Sequence, residues 1–490
     1  MVLSHFFTLI MVSVIQKFSP HFSFAKWLLC RTGLIRYLHP TNSELRTLAG
    51  VPKDKPKGKN SIKEKSSSFH VPRNLDIQLE TAEVTELDVI QLRYFTEYQW
   101  LVDFSIYTAI VYFLSEIYHF YFPLKAEVNL SIVWCLLVIF FAVKLLASLT
   151  VQYFKSEESM GERSMCIVAC LVYLLIAMMV LIIDEQVLET GLETAYAKFN
   201  ESASLFLADQ GISSSGPASK IVLKFFIAIS CGVLGSLFTF PGLRMARMHW
   251  DSLRYCQERR GLQILLNISF VLPFVLVLLW IKPISRDYLT ERIFGGMTEP
   301  LMSQHTFDSA RFAIVVTTIL LRFLLLPVYL QSYLNIAYDR IENLKKEGGR
   351  ITNVELQQKI SSIFYYLCVV TLQFVAPLIM CLYLTLMYKS LGEFSWIGIP
   401  GELIKTPEIV DNLKDSIGNQ EISADPDFPS DEVNILYSAK NIQTSWHSLK
   451  EVFSTEVYRG FFGFATWWSY FTLFATSALG LLYQTYFTKT

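Results

Sequence analysis

Residues 309–388 read SARFAIVVTTILLRFLLLPVYLQSYLNIAYDRIENLKKEGGRITNVELQQKISSIFYYLCVVTLQFVAPLIMCLYLTLMY, two apolar runs separated by a charged stretch. Each run is long enough to cross the hydrocarbon core as a helix, which takes about 20 residues. The stretch between them, residues 338–359, is too polar to enter hydrocarbon and too rich in Lys and Arg to be translocated readily, so it is assigned to the cytosol. That assignment orders every other loop.

Working outward, the whole chain has the same character. Of its 490 residues 52% are hydrophobic and 17% charged, and mean hydropathy is +0.37, which is too apolar for a soluble globular protein of this length. The fold class expected is all-α, a polytopic helical membrane bundle of about eight transmembrane helices with a short N-terminal hydrophobic helix. Spans fall near 99–122, 129–154, 164–183, 219–242, 262–282, 310–334, 361–388 and 460–487. A net charge of -1 excludes a globally basic nucleic-acid binder. Cys135, Cys166, Cys170, Cys231, Cys368 and Cys381 sit in or beside apolar runs with no CxxC, the pattern of reduced core thiols.

Loop charge sets the orientation. Arg244, Arg247, Arg254, Arg259 and Arg260 fall in the connection 243–261, and Arg340, Lys345, Lys346, Arg350 and Lys359 in 335–360, which puts both loops in the cytosol. The segment 184–218 has acidic residues including Glu189 and Glu193 with only Lys198 against them before the next span, and belongs outside. Asn129 and Asn200, each in an Asn-x-Ser acceptor, fall on that side, so both are candidate glycosylation sites.

Before the first span, residues 1–37 form a hydrophobic or interfacial segment, in which 22–38 suits a helix at the headgroups and 1–16 is a short span or an interfacial helix. Residues 38–98 form a cytosolic linker, disordered around the Lys-rich 51–68, with a short strand at 75–80 and a Thr85/Asp88 cap leading into the bilayer. The acidic segment 390–458 lies outside and carries an amphipathic helix around 433–453. Residues 459–490 hold the last span and a short cytosolic tail.

Ionised side chains inside hydrocarbon are costly and must face protein or water. Asp103, Glu116, Lys144, Lys224, Arg311 and Arg322 are the candidates. Glu116 shares a helical face with Tyr112 and His119, and Arg311 lies three turns before Arg322 on one face. Depth matching pairs Glu116 with Arg322 or Lys224, and Asp103 with Lys144; these charges are structural ties, line an ion or proton pathway, or are snorkelling ends. Pro273, Pro327 and Pro377 each free the carbonyl four residues earlier, on Ser269, Phe323 and Gln373, and are either simple kinks or the lining of a cavity. Gln373 is therefore a further polar candidate. HExxH, GxSxG, P-loop, TVGYG and regularly spaced arginine patterns are all missing, so no catalytic residue, metal site or cofactor is expected.

The segments HFSFAKWLLC (21–30), YLHPTNSELRTLAG (37–50), EYQWLVDF (97–104), GERSMC (161–166), TFPGLRMARMH (239–249), KKEGGRITNVELQ (345–357) and RGFFGFATWW (459–468) resemble the transmembrane protein 161 family along the full chain. The Lys-rich linker and the 400–435 region depart from it as linkers do. The resemblance implies an eight-span glycoprotein in the plasma membrane or an endomembrane, connected with restraint of cation currents, membrane excitability and heart rhythm, and in another branch with protection against oxidative stress. It supplies no catalytic site. The expected function is therefore a non-catalytic regulator acting in the lipid bilayer on ion channels or other membrane proteins through loop 335–360, whose Gly348, Gly349 and Thr352/Glu355 cap make a helix pair. The alternative is a transporter or channel with a pathway through helices 5–7.

Overall fold

A computed structural model of the chain describes residues 22–48, 79–121, 131–155, 160–209, 219–293, 300–346, 352–396 and 452–487, with Ser13 and Lys17. The Lys-rich 51–68, nearly all of 1–16, Asn129, the glycine pair 348–349 and most of the amphipathic stretch 433–453 lie outside the described residues.

A small cap forms first. Ser23, extended at φ -115°, accepts the Lys26 N–H on its hydroxyl and starts α1 (Phe24–Cys30). The expected interfacial helix through 38 stops there, because Gly33 adopts φ +73°, a conformation that costs glycine little, and turns the chain. Residues Ile35–Tyr37 become β1. They pair antiparallel with β2 (Thr81–Glu83), Ile35 opposite Glu83. Of the expected strand 75–80, residues 75–78 lie outside the described residues, and β2 begins directly after it. Between them in sequence lies α2 (Asn42–Leu48), and after β2 comes α3 (Glu86–Ile90), whose cap is the expected Thr85 and Asp88 pair at 2.5 Å.

The bundle follows: α4 (Phe95–Tyr121), α5 (Ser131–Lys155), α6 (Met160–Val180), α7 (Leu192–Asp209), α8 (Lys220–Tyr255), α9 (Arg260–Leu278), α10 (Arg286–Thr290), α11 (Gln304–Lys346), α12 (Asn353–Tyr365), α13 (Leu367–Leu391) and α14 (Thr455–Phe487). Among the described residues seven of the spans, in α4, α5, α6, α8, α9, α11 and the α12–α13 pair, are long and apolar enough to cross a membrane. With 33 residues α14 is long enough, but it is more polar. Its buried Thr472, Thr476 and Ser477 hydroxyls donate to carbonyls one turn back, at 2.7–2.9 Å, so burial leaves them satisfied. Trp468 and Trp467 donate to the carbonyls of Cys231 and Val277, which ties α14 to α8 and α9.

The loops 243–261 and 335–360 are corrected in extent. At 36 residues α8 is about 54 Å long, well beyond a core of about 30 Å, and Arg244, Arg247 and Arg254 lie on this helix rather than in a loop. Likewise α11 runs on to Lys346, and Thr352 accepts the Glu355 N–H to begin α12, as expected from its cap. Part of this hairpin is already occupied by the chain itself. Tyr37 donates to Asn335, Asn353 donates to Asn42, and Gln357 donates to the Pro40 carbonyl, while just before the hairpin Gln331 exchanges hydrogen bonds with the Ile35 backbone.

At the centre stands α13. It is apolar on every side, and nearly every residue from Leu367 to Lys389 is buried, against α4, α5, α8, α11 and α14. Close helix approach around it depends on small residues: a Cβ on Gly242 in α8 would strike Thr476 of α14, and one on Gly460 would strike the Gly191 backbone.

Candidate functional site

The buried charges gather in three layers. One is at the end of the bundle that carries 184–209 and 283–293, here called the acidic end. Here α4 delivers Glu116 and the last turn of α13 delivers Lys389, and the two form an ion pair whose side chains are 16% and 9% exposed. Ser390 and the Trp396 indole also donate to the Glu116 carboxylate, at 3.1 and 3.2 Å, while the Tyr112 and Ser390 hydroxyls share a hydrogen bond of 2.7 Å. His119 lies one turn farther out, half-buried beside the Tyr118 ring.

Across the rings of Phe312, Phe394 and Trp396 from this pair is Arg311. Its side chain is wholly enclosed. It donates to Asp308 at 2.8 Å, to Glu189 at 3.4 Å and to the Tyr388 hydroxyl at 3.4 Å, and its guanidinium lies 4.5 Å from the Trp280 ring centre. Arg286 pairs with the other Glu189 oxygen. A cavity of about 500 Å³ opens over this network, lined by Glu189, Lys282, Arg286, Asp308, Tyr388 and Arg459. Both signs of charge line it, and the charges nearest its floor already neutralise one another.

Also at this end, Lys224 does not reach Glu116. It donates to Glu193 at 2.9 Å and to the Leu181 carbonyl at 2.7 Å, and Lys220 joins it on Glu193 at 2.9 Å. These two ammonium donors hold the Glu193 carboxyl below the usual carboxylate value. Asn200 is half-buried on α7, and Asn129 is outside the described residues.

The middle layer is Arg322. It is 3% exposed, and its Nε donates to the Ser269 carbonyl at 3.2 Å. Pro273 has removed that carbonyl's ordinary helical donor, so the kink of α9 and the arginine of α11 are one feature. Nη1 points to the Met245 sulfur at 2.9 Å. The expected partner, Glu116, belongs to the layer above. Pro327 and Pro377 lie within α11 and α13 as expected, and Gln373 donates to the Tyr153 hydroxyl at 3.0 Å while its carbonyl oxygen has no partner.

At the opposite, basic end Asp103 does not pair with Lys144. Its carboxylate accepts from Ser23 Oγ at 2.6 Å and the Ala25 N–H at 2.9 Å, holding the first turn of α1. The Tyr98 hydroxyl donates to the Ala25 carbonyl from the same helix α4. Lys144 sits on an exposed face of α5, where its long side chain can carry the ammonium toward headgroups. Burial, together with Glu86 and Asp88, pushes the Cys30 thiol up, away from the reactive thiolate.

The residues missed by depth matching are Lys389, Asp308, Arg286 and Pro241, while Glu189 and Glu193 were read only as loop acids. Lys389 lies one residue past the expected boundary of its span, and a Lys there reads as an ordinary interface anchor. Pro241 falls inside α8, and the TFPGLR stretch holding it had been assigned to the span end.

A family model described as predicted transmembrane protein 161AB matches residues 2–488. No solved structure matches the chain.

Proposed function

The chain belongs to the transmembrane protein 161AB family, and on that footing we propose that it is a non-catalytic multi-pass membrane glycoprotein that regulates cation currents through partners in the membrane. In this reading α14 is the eighth span, both the N-terminal linker and the C-terminus are cytosolic, and the acidic end faces the lumen or the outside. The positive-inside rule supports that orientation, since Arg244, Arg247, Arg254, Arg340 and Lys359 all fall at one end.

The observation that carries the reading is the position of α13. An apolar helix buried on all sides fills the axis of the bundle, and the carboxylates Asp103 and Glu116 are held by a helix N-terminus and by a lysine rather than lining an open path. The role in excitability rests on the family resemblance. The described residues of 335–360 that residues 35–42 do not hold belong to the surface that would meet a channel.

Transport by the chain itself is the second reading, and the cavity above Arg311 is what favours it. Currents recorded with and without a co-expressed cation channel separate the two. The regulator reading expects no new current from this protein alone and an altered current when the channel is present. A current carried by this protein alone would overturn it.

A further inference from the structure

Arg322 differs from every other cation buried in the described residues. Arg311 has two carboxylates within 3.4 Å, and Lys389 has Glu116. No carboxylate among the described residues lies within ion-pair distance of Arg322, and the titratable groups near it are Tyr329, Cys381 and Tyr470, which are neutral, with His249 beyond. A guanidinium carries five N–H donors. Two bonds are made, to the Ser269 carbonyl and to the Met245 thioether, a weak acceptor for a charged donor, and the second terminal nitrogen makes none. An isolated buried charge is among the most expensive groups a fold can hold.

The surroundings fit a counter-ion. Met245 is unbranched and able to swing aside, and Ser477 Oγ lies 3.7 Å from its sulfur while donating its proton to the Leu473 carbonyl. Tyr470 Oη, fully buried, lies close to Thr385 without making a sound hydrogen bond, which leaves a donor within electrostatic reach of Arg322. Helices α8, α9, α11, α13 and α14 all contribute groups around the guanidinium, so only a small ligand could take the place of the Met245 sulfur. We propose that Arg322, with Met245 displaced and Tyr470 as a further donor, binds a small inorganic anion of the halide class in the interior of the bundle. Binding there is independent of whether the protein regulates currents.

The test uses the full-length protein purified in detergent, melted in sodium chloride or sodium gluconate at one ionic strength. Chloride raises the melting temperature over gluconate, and above the dissociation constant each tenfold rise in chloride lowers the unfolding constant about tenfold. Bromide substitutes for chloride, and Arg322→Gln flattens the dependence. Identical melting of the wild type in chloride and gluconate overturns the proposal, as does equal halide dependence in wild type and Arg322→Gln. Should that variant fail to fold, anomalous scattering from bromide-grown wild-type crystals decides. A bromide peak against the guanidinium supports the site, and a featureless map there overturns it.

Discussion

Asp103 sits in the third turn of a membrane helix, yet its function there is to hold a different helix. A carboxylate placed at the first turn of α1 satisfies N–H and hydroxyl donors that would otherwise be unpaired at the membrane surface. Hydrogen bonds to a charged acceptor are each worth roughly 1.5–3 kcal/mol. Asp103→Ala is therefore expected to release α1, seen as faster hydrogen exchange at residues 25–30 with little change in the bundle; unchanged protection would contradict the capping role. Glu193 supplies a pH signature. Its folded value is depressed by Lys220 and Lys224, so the tie is present above the ordinary 4.5 and is lost as pH falls through the lower folded value. Exchange at the start of α7 should rise on acidification below about pH 4.5, and Glu193→Gln should abolish that dependence. The sequence identified the costly side chains but not their partners. Periodicity says which face a residue occupies, and it says nothing about which neighbour meets that face. Loop acids such as Glu189 and Asp308 look solvated until a fold closes over them.

Among the elements, α9 and α11 are joined by a defect in one and a charge in the other. Pro273 leaves the Ser269 carbonyl open and Arg322 takes it. Restoring the donor with Pro273→Ala gives a better helix former but a competitor for that carbonyl. Thermal unfolding of Pro273→Ala, Arg322→Met and the double variant should show a coupling of about 1 kcal/mol; strict additivity would separate the two features. The α8–α14 contact makes a sharper demand. Gly242→Ala drives a methyl into Thr476 and is expected to cost about 1–3 kcal/mol, read as a lower melting temperature, with Thr476→Ala relieving part of the loss. Helices were legible because long apolar runs admit little else. Their ends were not, since α8 and α11 continue as amphipathic extensions after their apolar character fades, and because Gly33 converts part of an apparent interfacial helix into a strand.

For the whole molecule, the arrangement is a filled bundle: α13 at the axis, neighbours fastened to it by buried charge, and an N-terminal cap lying on the basic hairpin. Topology follows from the arginine-rich end. Attachment of sugar at Asn200, read as a mobility shift lost in Asn200→Gln, is expected if the acidic end faces the lumen, and a modified acceptor engineered near residue 258 would reverse the map. Whether buried charges hold the bundle or line a path is decided most directly at Glu116 and Lys389. Breaking a buried pair from one side costs about 3–5 kcal/mol, whereas replacing both partners with neutral groups recovers much of it. The measurement is a double-mutant cycle on the purified protein, with melting temperature and liposome ion flux read on the same samples. We predict that Glu116→Gln and Lys389→Met each lower the melting temperature by several degrees, that the double variant recovers most of the loss, and that flux is absent throughout. Single variants that melt like wild type while changing a measurable wild-type flux would contradict the account.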